Sequence, residues 1–411
     1  MISFIAFSIQ AAYAAVFAPN PTHNPNIVVP SSSMPHWYDK PGTSHSDYLI
    51  WTGDPVKRPN SIPAPENPTG MFGPLVQSVI PGYYPADIRN AYNVPPMQGS
   101  GAIAIVDAFY YPNALSDFNT FSAEFGLPVE TSSDPTLNTN TVLQVVYASG
   151  TQPQADAGWA GEQALDIEWA HAMAPQAKLF LVESVLCTNS QCNTDPGWSA
   201  IKLAAKLVAQ NGGGVVSMSF GDPEQSADLT FDKYFTSKSA VFFAASGDSG
   251  LGVSIYPGSS PNVVSVGGTY FNRDQNGKFV NEVYYTGGGG GDLSPYEPRP
   301  HYQDGIAGIV GNHRGYPDVA SDFCCAAIYV QGGWYSVGGT SWSSPTFAGI
   351  VNAAGTLNKG SQAQLTMMYN ELANPTEYAN DFNDITQGDS RCKVGFDLCT
   401  GIGSPKTYAG K

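Results

Sequence analysis

The sequence predicts an α/β fold with a mainly parallel central sheet flanked by helices. Three observations carry this expectation. Short apolar runs, Ala102–Asp107, Lys178–Val182, Gly214–Ser219 and Ala240–Ala245, are nearly continuous rather than alternating, as in strands buried on both faces. Helical patterns separate them: Gly161–Met173 precedes the second run and Ser199–Gln210 follows it. That alternation suits parallel strands joined by helical crossovers. The length of 411 residues suffices for one large core or two to three smaller ones, and no internal repeat divides it.

Taken in order, the chain opens with an apolar run, Ile2–Phe7, that reaches Ala12-Tyr13-Ala14. This resembles a secretory signal with a small-x-small cleavage site, so residues 1–14 are expected to be a signal peptide and the protein to be secreted and extracellular. Residues 15–79 hold a large share of the 32 prolines and little periodicity, which predicts an irregular lead segment. Helical periodicity begins at Tyr84–Tyr92, and the folded domain is expected over residues 80–411. Gly287–Gly291 reads as a loop, because no strand–loop–Lys-Ser/Thr arrangement surrounds it to cradle a phosphate. Trp334–Val337 reads as a strand, and Phe347–Ala354, rich in small residues, as a helix packed closely against a sheet.

Charge excludes some partners. With 34 acids against 18 bases the net charge is −16, which argues against nucleic acid or an anionic membrane surface. Only 13% of residues are charged, and so few charges fit an acidic environment. Beyond the N-terminus no apolar run approaches a membrane span, and a monomer is expected. Six cysteines suit an oxidising compartment. Cys187 and Cys192 bracket one short loop and Cys392 and Cys399 another, each able to close a disulfide, while the adjacent Cys324 and Cys325 leave their state open. None has the paired C-x-x-C spacing of a zinc site.

The chemistry concentrates at three places. Ser341, in Gly338-Gly339-Thr340-Ser341, stands at a strand-to-helix junction, where unpaired N–H groups and the helix dipole favour negative charge. Such a serine is either a nucleophile whose attack creates an oxyanion or a helix cap. On the Gly161–Met173 helix, Glu162 and Asp166 are four apart and share a face continued by Trp169 and Met173. They form either a solvated face or, beside those apolar neighbours, a proton-sharing pair able to take a proton from a hydroxyl. His171 points nearly opposite Glu162 and reads as a surface or packing residue. Asp248, in Ser246-Gly247-Asp248-Ser249-Gly250, is either a turn former or an acid aimed into a cleft. As an oxyanion donor it must be protonated, which requires low pH, where a histidine base would be useless.

Together, Glu162-x-x-x-Asp166, Ser246-Gly247-Asp248-Ser249-Gly250 and Gly338-Gly339-Thr340-Ser341-x-x-x-Pro345 resemble the sedolisin family, the serine-carboxyl peptidases. The resemblance spans roughly residues 80–405 and implies a subtilisin-like fold with a Ser-Glu-Asp triad. It would make Ser341 the nucleophile, Glu162 the general base, Asp166 its orienting partner and Asp248 the oxyanion donor. Asp107 ends the strand where subtilisins carry their catalytic aspartate, and is either a partner of Glu162 or a strand-end residue. Ser217–Gly221 resembles the strand that pairs with substrate backbone. The tail, Asp384-Ile385-Thr386 with Gly395-Phe396-Asp397, resembles the family's calcium site, so Ca2+ is the implied metal. Its ligands would be Asp384, Asp397 and the carbonyls of Ile385, Lys393 and Gly395. The expected function is that of a secreted acid serine peptidase acting on protein or peptide substrates. A neutral subtilisin-like peptidase and a catalytically silent binding protein of the same fold are the alternatives.

Overall fold

In the computed structural model, which describes residues 26–34, 43–52, 56, 80–184, 197–274, 279–286 and 289–408, the apolar runs are strands of one eight-stranded sheet. In chain order its members are β1 (Ala102–Ala108), β2 (Leu143–Tyr147), β3 (Lys178–Ser184), β4 (Gly214–Met218), β5 (Ala240–Ala245), β6 (Val264–Arg273), β7 (Phe279–Tyr284) and β8 (Val319–Asp322). They lie in the order β7-β6-β5-β4-β1-β3-β2, with β8 beside β6, and every pairing except β6 with β7 is parallel. The signal expected over residues 1–14 and the Cys187–Cys192 pair lie outside the described residues.

Alternation along the strands builds two layers. Ile103 and Ile105 of β1, with Leu179 and Leu181 of β3, face a core containing Leu165, Ile167 and Trp169. Ala102, Ala104 and Val106, with Phe180 and Val182, face the opposite core, which contains Ala200, Ile201, Ala204 and Val208. The first core is covered by helices α1 (Ala157–Met173) and α3 (Thr340–Ala353), the second by α2 (Trp198–Gln210). Burial on both faces is why these strands carry so little polar residue.

Helices α1 and α3 are nearly wholly buried against each other. Trp169 of α1 meets Trp342 of α3 edge-on, with ring centroids 4.8 Å apart. Their axes approach closely at Gly349, where a Cβ would sit 2.7 Å from Met173 Cβ. The small residues of the Phe347–Ala354 stretch therefore serve a helix–helix contact as well as a helix–sheet one. The α1 N-terminus is capped by Asp156, which accepts from Trp159 N at 2.9 Å.

Within residues 15–79, the described stretches include three short strands. Leu49–Trp51 is a buried strand paired antiparallel with the strand leading to Ser341, β9 (Gly333–Gly338). Ile27–Val28 extends that sheet, and His45–Ser46 pairs with Phe220–Pro223. Leu49-Ile50-Trp51 is good strand material, but its partner lies at the far end of the chain, beyond what local periodicity reveals. Strand β6 also escaped the sequence reading, because Gly267 and Gly268 interrupt its apolar run. They are needed where the backbone is crowded by Pro317 and Phe323.

Cys392 and Cys399 form the expected disulfide, and Cys324 and Cys325 lie buried side by side. Gly289–Gly291, the described part of the glycine run, lies in a loop apart from one isolated bridge at Gly291, with Gly290 pressed against the Ser246 carbonyl. Among the described residues, no helix is long and apolar enough to cross a membrane.

Candidate active site

Ser341 is the second residue of α3, and Gly339, at φ +134°, makes the turn from β9 into the helix. A side chain at Gly339 would collide with the Asp47 carbonyl oxygen and stand 2.6 Å from Asp248 Oδ2. Two oxygens thus converge on the space beside Ser341, and only glycine leaves them room. Ser341 does not cap the helix: the residue before the first turn is Gly339, with no side-chain cap bond.

From α1, Glu162 and Asp166 reach the same place, both fully buried. The Ser341 hydroxyl neighbours Glu162 closely enough to favour its charged form. Its hydrogen bond, however, is donated to the Ser219 carbonyl at 3.2 Å, and both Glu162 oxygens are without a partner among the described residues. Ser219 Oγ links the remaining parts, lying 2.8 Å from Asp166 Oδ1 and 3.1 Å from the Ser341 carbonyl oxygen, with one hydrogen to give to either. Asp248 follows β5, and its Oδ1 accepts from Thr340 N and Thr340 Oγ1, each at 2.8 Å. Its Oδ2 is buried and has no partner among the described residues.

These acids favour their protonated forms. Burial raises the pKa of Glu162 well above the carboxylate range, with Asp166 and then Asp107 adding repulsion. Burial and Asp107 do the same to Asp166, and burial and Asp47 to Asp248. His171 is elsewhere. It is buried, its Nε2 is 2.9 Å from the Pro128 carbonyl, and its ring packs on Phe118. Burial lowers its pKa to about 4, so it is a neutral packing residue rather than a surface one.

Nothing in the sequence singles out Asp47. Its N–H donates to Ser341 Oγ at 3.1 Å, and its carbonyl accepts from Ser341 N at 3.1 Å. The residues before it pair antiparallel with Phe220 and Gly221, part of the Ser217–Gly221 stretch singled out above. Tyr48, which follows, donates to the Gly158 carbonyl of α1 at 2.7 Å. A peptide of the chain itself therefore lies across Ser341. Ser219 and Thr340 lie inside stretches already noted, yet nothing in their neighbours' spacing signals their bonds to Asp166 and Asp248.

Four of the five tail residues are joined in two pairs. Asp384 Oδ2 accepts from Gly395 N at 3.0 Å, and Asp397 Oδ2 from Lys393 N at 2.5 Å. Burial raises the Asp397 pKa to about 6, with Asp384 adding repulsion. The Lys393 ammonium turns away to the Ser390 carbonyl, 2.7 Å distant, so it does not neutralise the pair. Two neighbouring carboxylates, in a loop tied by Cys392–Cys399, are hard oxygen donors of the kind that suits a hard cation.

Comparison with known proteins finds relatives among the peptidases. The subtilase family model matches residues 155–373. Kumamolisin of Bacillus sp. (strain MN-32) is 29% identical over 85% of this chain and 67% of its own length. Tripeptidyl-peptidase SED2 of Arthroderma otae is 29% identical over 62% of this chain and 49% of its own length. The chain thus spans between half and two thirds of these relatives. The structure of Pseudomonas sedolisin, a serine-carboxyl proteinase complexed with pseudo-iodotyrostatin, superimposes with a TM-score of 0.64 at 23% identity, covering 80% of this chain and 96% of that one. With the family model covering more than half its residues, the chain belongs to the subtilase family of serine-type peptidases, among which it is similar to the sedolisins.

Proposed function

We propose that this protein is a secreted, monomeric acid serine-carboxyl peptidase that hydrolyses peptide bonds of proteins or peptides through an acyl-enzyme. In this reading Ser341 Oγ attacks the carbonyl carbon while Glu162 takes its proton, and Asp166, tethered by Ser219, orients Glu162. The developing oxyanion receives the Ser341 N–H and the protonated carboxyl of Asp248. Glu162 then returns the proton to the leaving amine, and water repeats the sequence to release the acid product. The low-pH character follows from Asp248, which donates only while it holds its proton.

One observation carries this reading. Asp47 lies in the cleft as a substrate residue would, its carbonyl on Ser341 N and its N–H on Ser341 Oγ. That arrangement supports a site shaped for an extended peptide. Ca2+ would be held by Asp384, Asp397 and the carbonyls of Ile385, Lys393 and Gly395. It would tie the tail loop to the sheet and take no part in bond cleavage. The test is hydrolysis of a denatured protein across pH 3–8. Activity peaking in acid and lost in Ser341→Ala is expected, whereas a Ser341→Ala protein as active as the parent would remove the assignment.

A further inference from the structure

As a base, Glu162 must be ionised, yet it sits among acids whose negative charge would oppose that. The arrangement on β1 and β3 bears on this conflict. Ile103 and Ile105 face α1, and two residues on so does Asp107; Leu179 and Leu181 face α1, and two residues on so does Glu183. Asp107 and Glu183 are register partners in adjacent parallel strands, so their carboxyls stand side by side on the face that carries Glu162 and Asp166. Both are wholly buried. Among the described residues, neither oxygen of Asp107 has a hydrogen-bond partner, nor has Glu183 Oε2, while Glu183 Oε1 accepts from Tyr111 N at 2.9 Å.

Two buried neighbouring carboxyls do not both ionise, so the pair keeps at least one proton. The Tyr111 N–H favours charge on Glu183, which leaves that proton on Asp107. The other groups acting here are Glu162 and Asp166 from α1 and Tyr147 from β2, and Asp47 reaches Glu162 from the far side. Desolvation and Glu183 act on Asp107, with no basic side chain among the described residues opposing them. The segment after β3, residues 185–196, contains no lysine, arginine or histidine.

We propose that Glu183 is a positioning residue for the peptidase chemistry: it loses its proton before Asp107 does, so Asp107 stays uncharged beside Glu162 and Asp166, and Glu162 is free to ionise. This rests on the reading of Ser341 and Glu162 given above. Burial raises both carboxyls above the usual range, and Glu183 adds repulsion on Asp107. Of the pair, it is Asp107 that acts on Glu162 and Asp166.

Glu183→Gln tests this directly. Its amide oxygen can keep the Tyr111 bond, which leaves the NH2 where the unpartnered Oε2 stands, facing Asp107. Asp107 then becomes the one ionisable member and gains a donor for its charge. Glu162 should ionise only at higher pH, moving the acid limb of kcat upward by ~1–3 pH units with KM unchanged. Glu183→Gln combined with Asp107→Asn removes both charges and should return the limb to its original position. An unmoved limb in Glu183→Gln, or no return in the double variant, overturns the proposal. A second measurement is independent of turnover and of how that variant folds. In the Ser341→Ala protein, carboxyl 13C NMR should record Glu183 titrating before Asp107, and the reverse order also overturns it. Should Ser341→Ala prove fully active, the peptidase assignment fails, while the NMR order still reports on the pair.

Discussion

The main-chain N–H of Ser341 points at the carbonyl oxygen of Asp47, 3.1 Å away. A substrate carbonyl would need the same donor, so the lead segment and an external peptide compete for one place. A tethered competitor acts at an effective concentration of about millimolar when its linker is short and flexible. A chain beginning at Tyr48 should therefore have kcat/KM raised by about tenfold or more over the full chain, measured from initial rates on a peptide substrate. Equal values would show that the Asp47 segment leaves the cleft freely.

Asp248 offers a second test. Asparagine can keep the two Thr340 bonds through its carbonyl and put an NH2 at the position of the unpartnered Oδ2. That group donates at any pH, whereas the carboxyl donates only below its raised pKa. Asp248→Asn should retain activity and move the alkaline limb of the pH–rate profile upward. Asp248→Ala should lose about 10²–10³-fold in kcat, the usual cost of removing one oxyanion donor.

The tail loop predicts a dependence on metal. A calcium chelator should lower the Tm of the parent protein, and added Ca2+ should restore it. Asp384→Asn combined with Asp397→Asn should start at the lower Tm and respond to neither, as followed by calorimetry. Identical melting of parent protein with and without chelator would rule out the site.

Stability should fall as pH rises. Glu297 is raised from 4.5 to about 9 and Asp222 from 3.8 to about 8, both mainly by burial. The folded state therefore binds more protons than the unfolded one. The contribution of these groups is complete below about pH 4, their unfolded range, and is lost as pH climbs through 8 to 9. Thermal unfolding should give a higher Tm at pH 4 than at pH 8, and the opposite order would contradict these environments.

The sequence made the sheet and the three motif acids legible for a physical reason. Ser341, Glu162–Asp166 and Asp248 each lie at a strand end or on one helix face, so short spacings report their placement. Asp47 was invisible because its contact with Ser341 spans a separation of 294 residues and its surroundings are rich in proline. Glu183 was missed for another reason. The β3 run reads as ending at Val182, and the strand beside it is set by the sheet order rather than by chain neighbours. The link from Ser219 to Asp166 was hidden because serine in an apolar strand looks the same whether its hydroxyl is idle or engaged.

The strand Leu49–Trp51 shields one long side of β9, the strand that delivers Ser341. A cut that removed everything through Trp51 would strip that side of its hydrogen-bonding neighbour and leave a row of unsatisfied main-chain groups open to any passing chain. Excision upstream of Tyr48 would free the cleft while keeping this seam closed, so where the chain is trimmed should decide between a working monomer and a self-associating one.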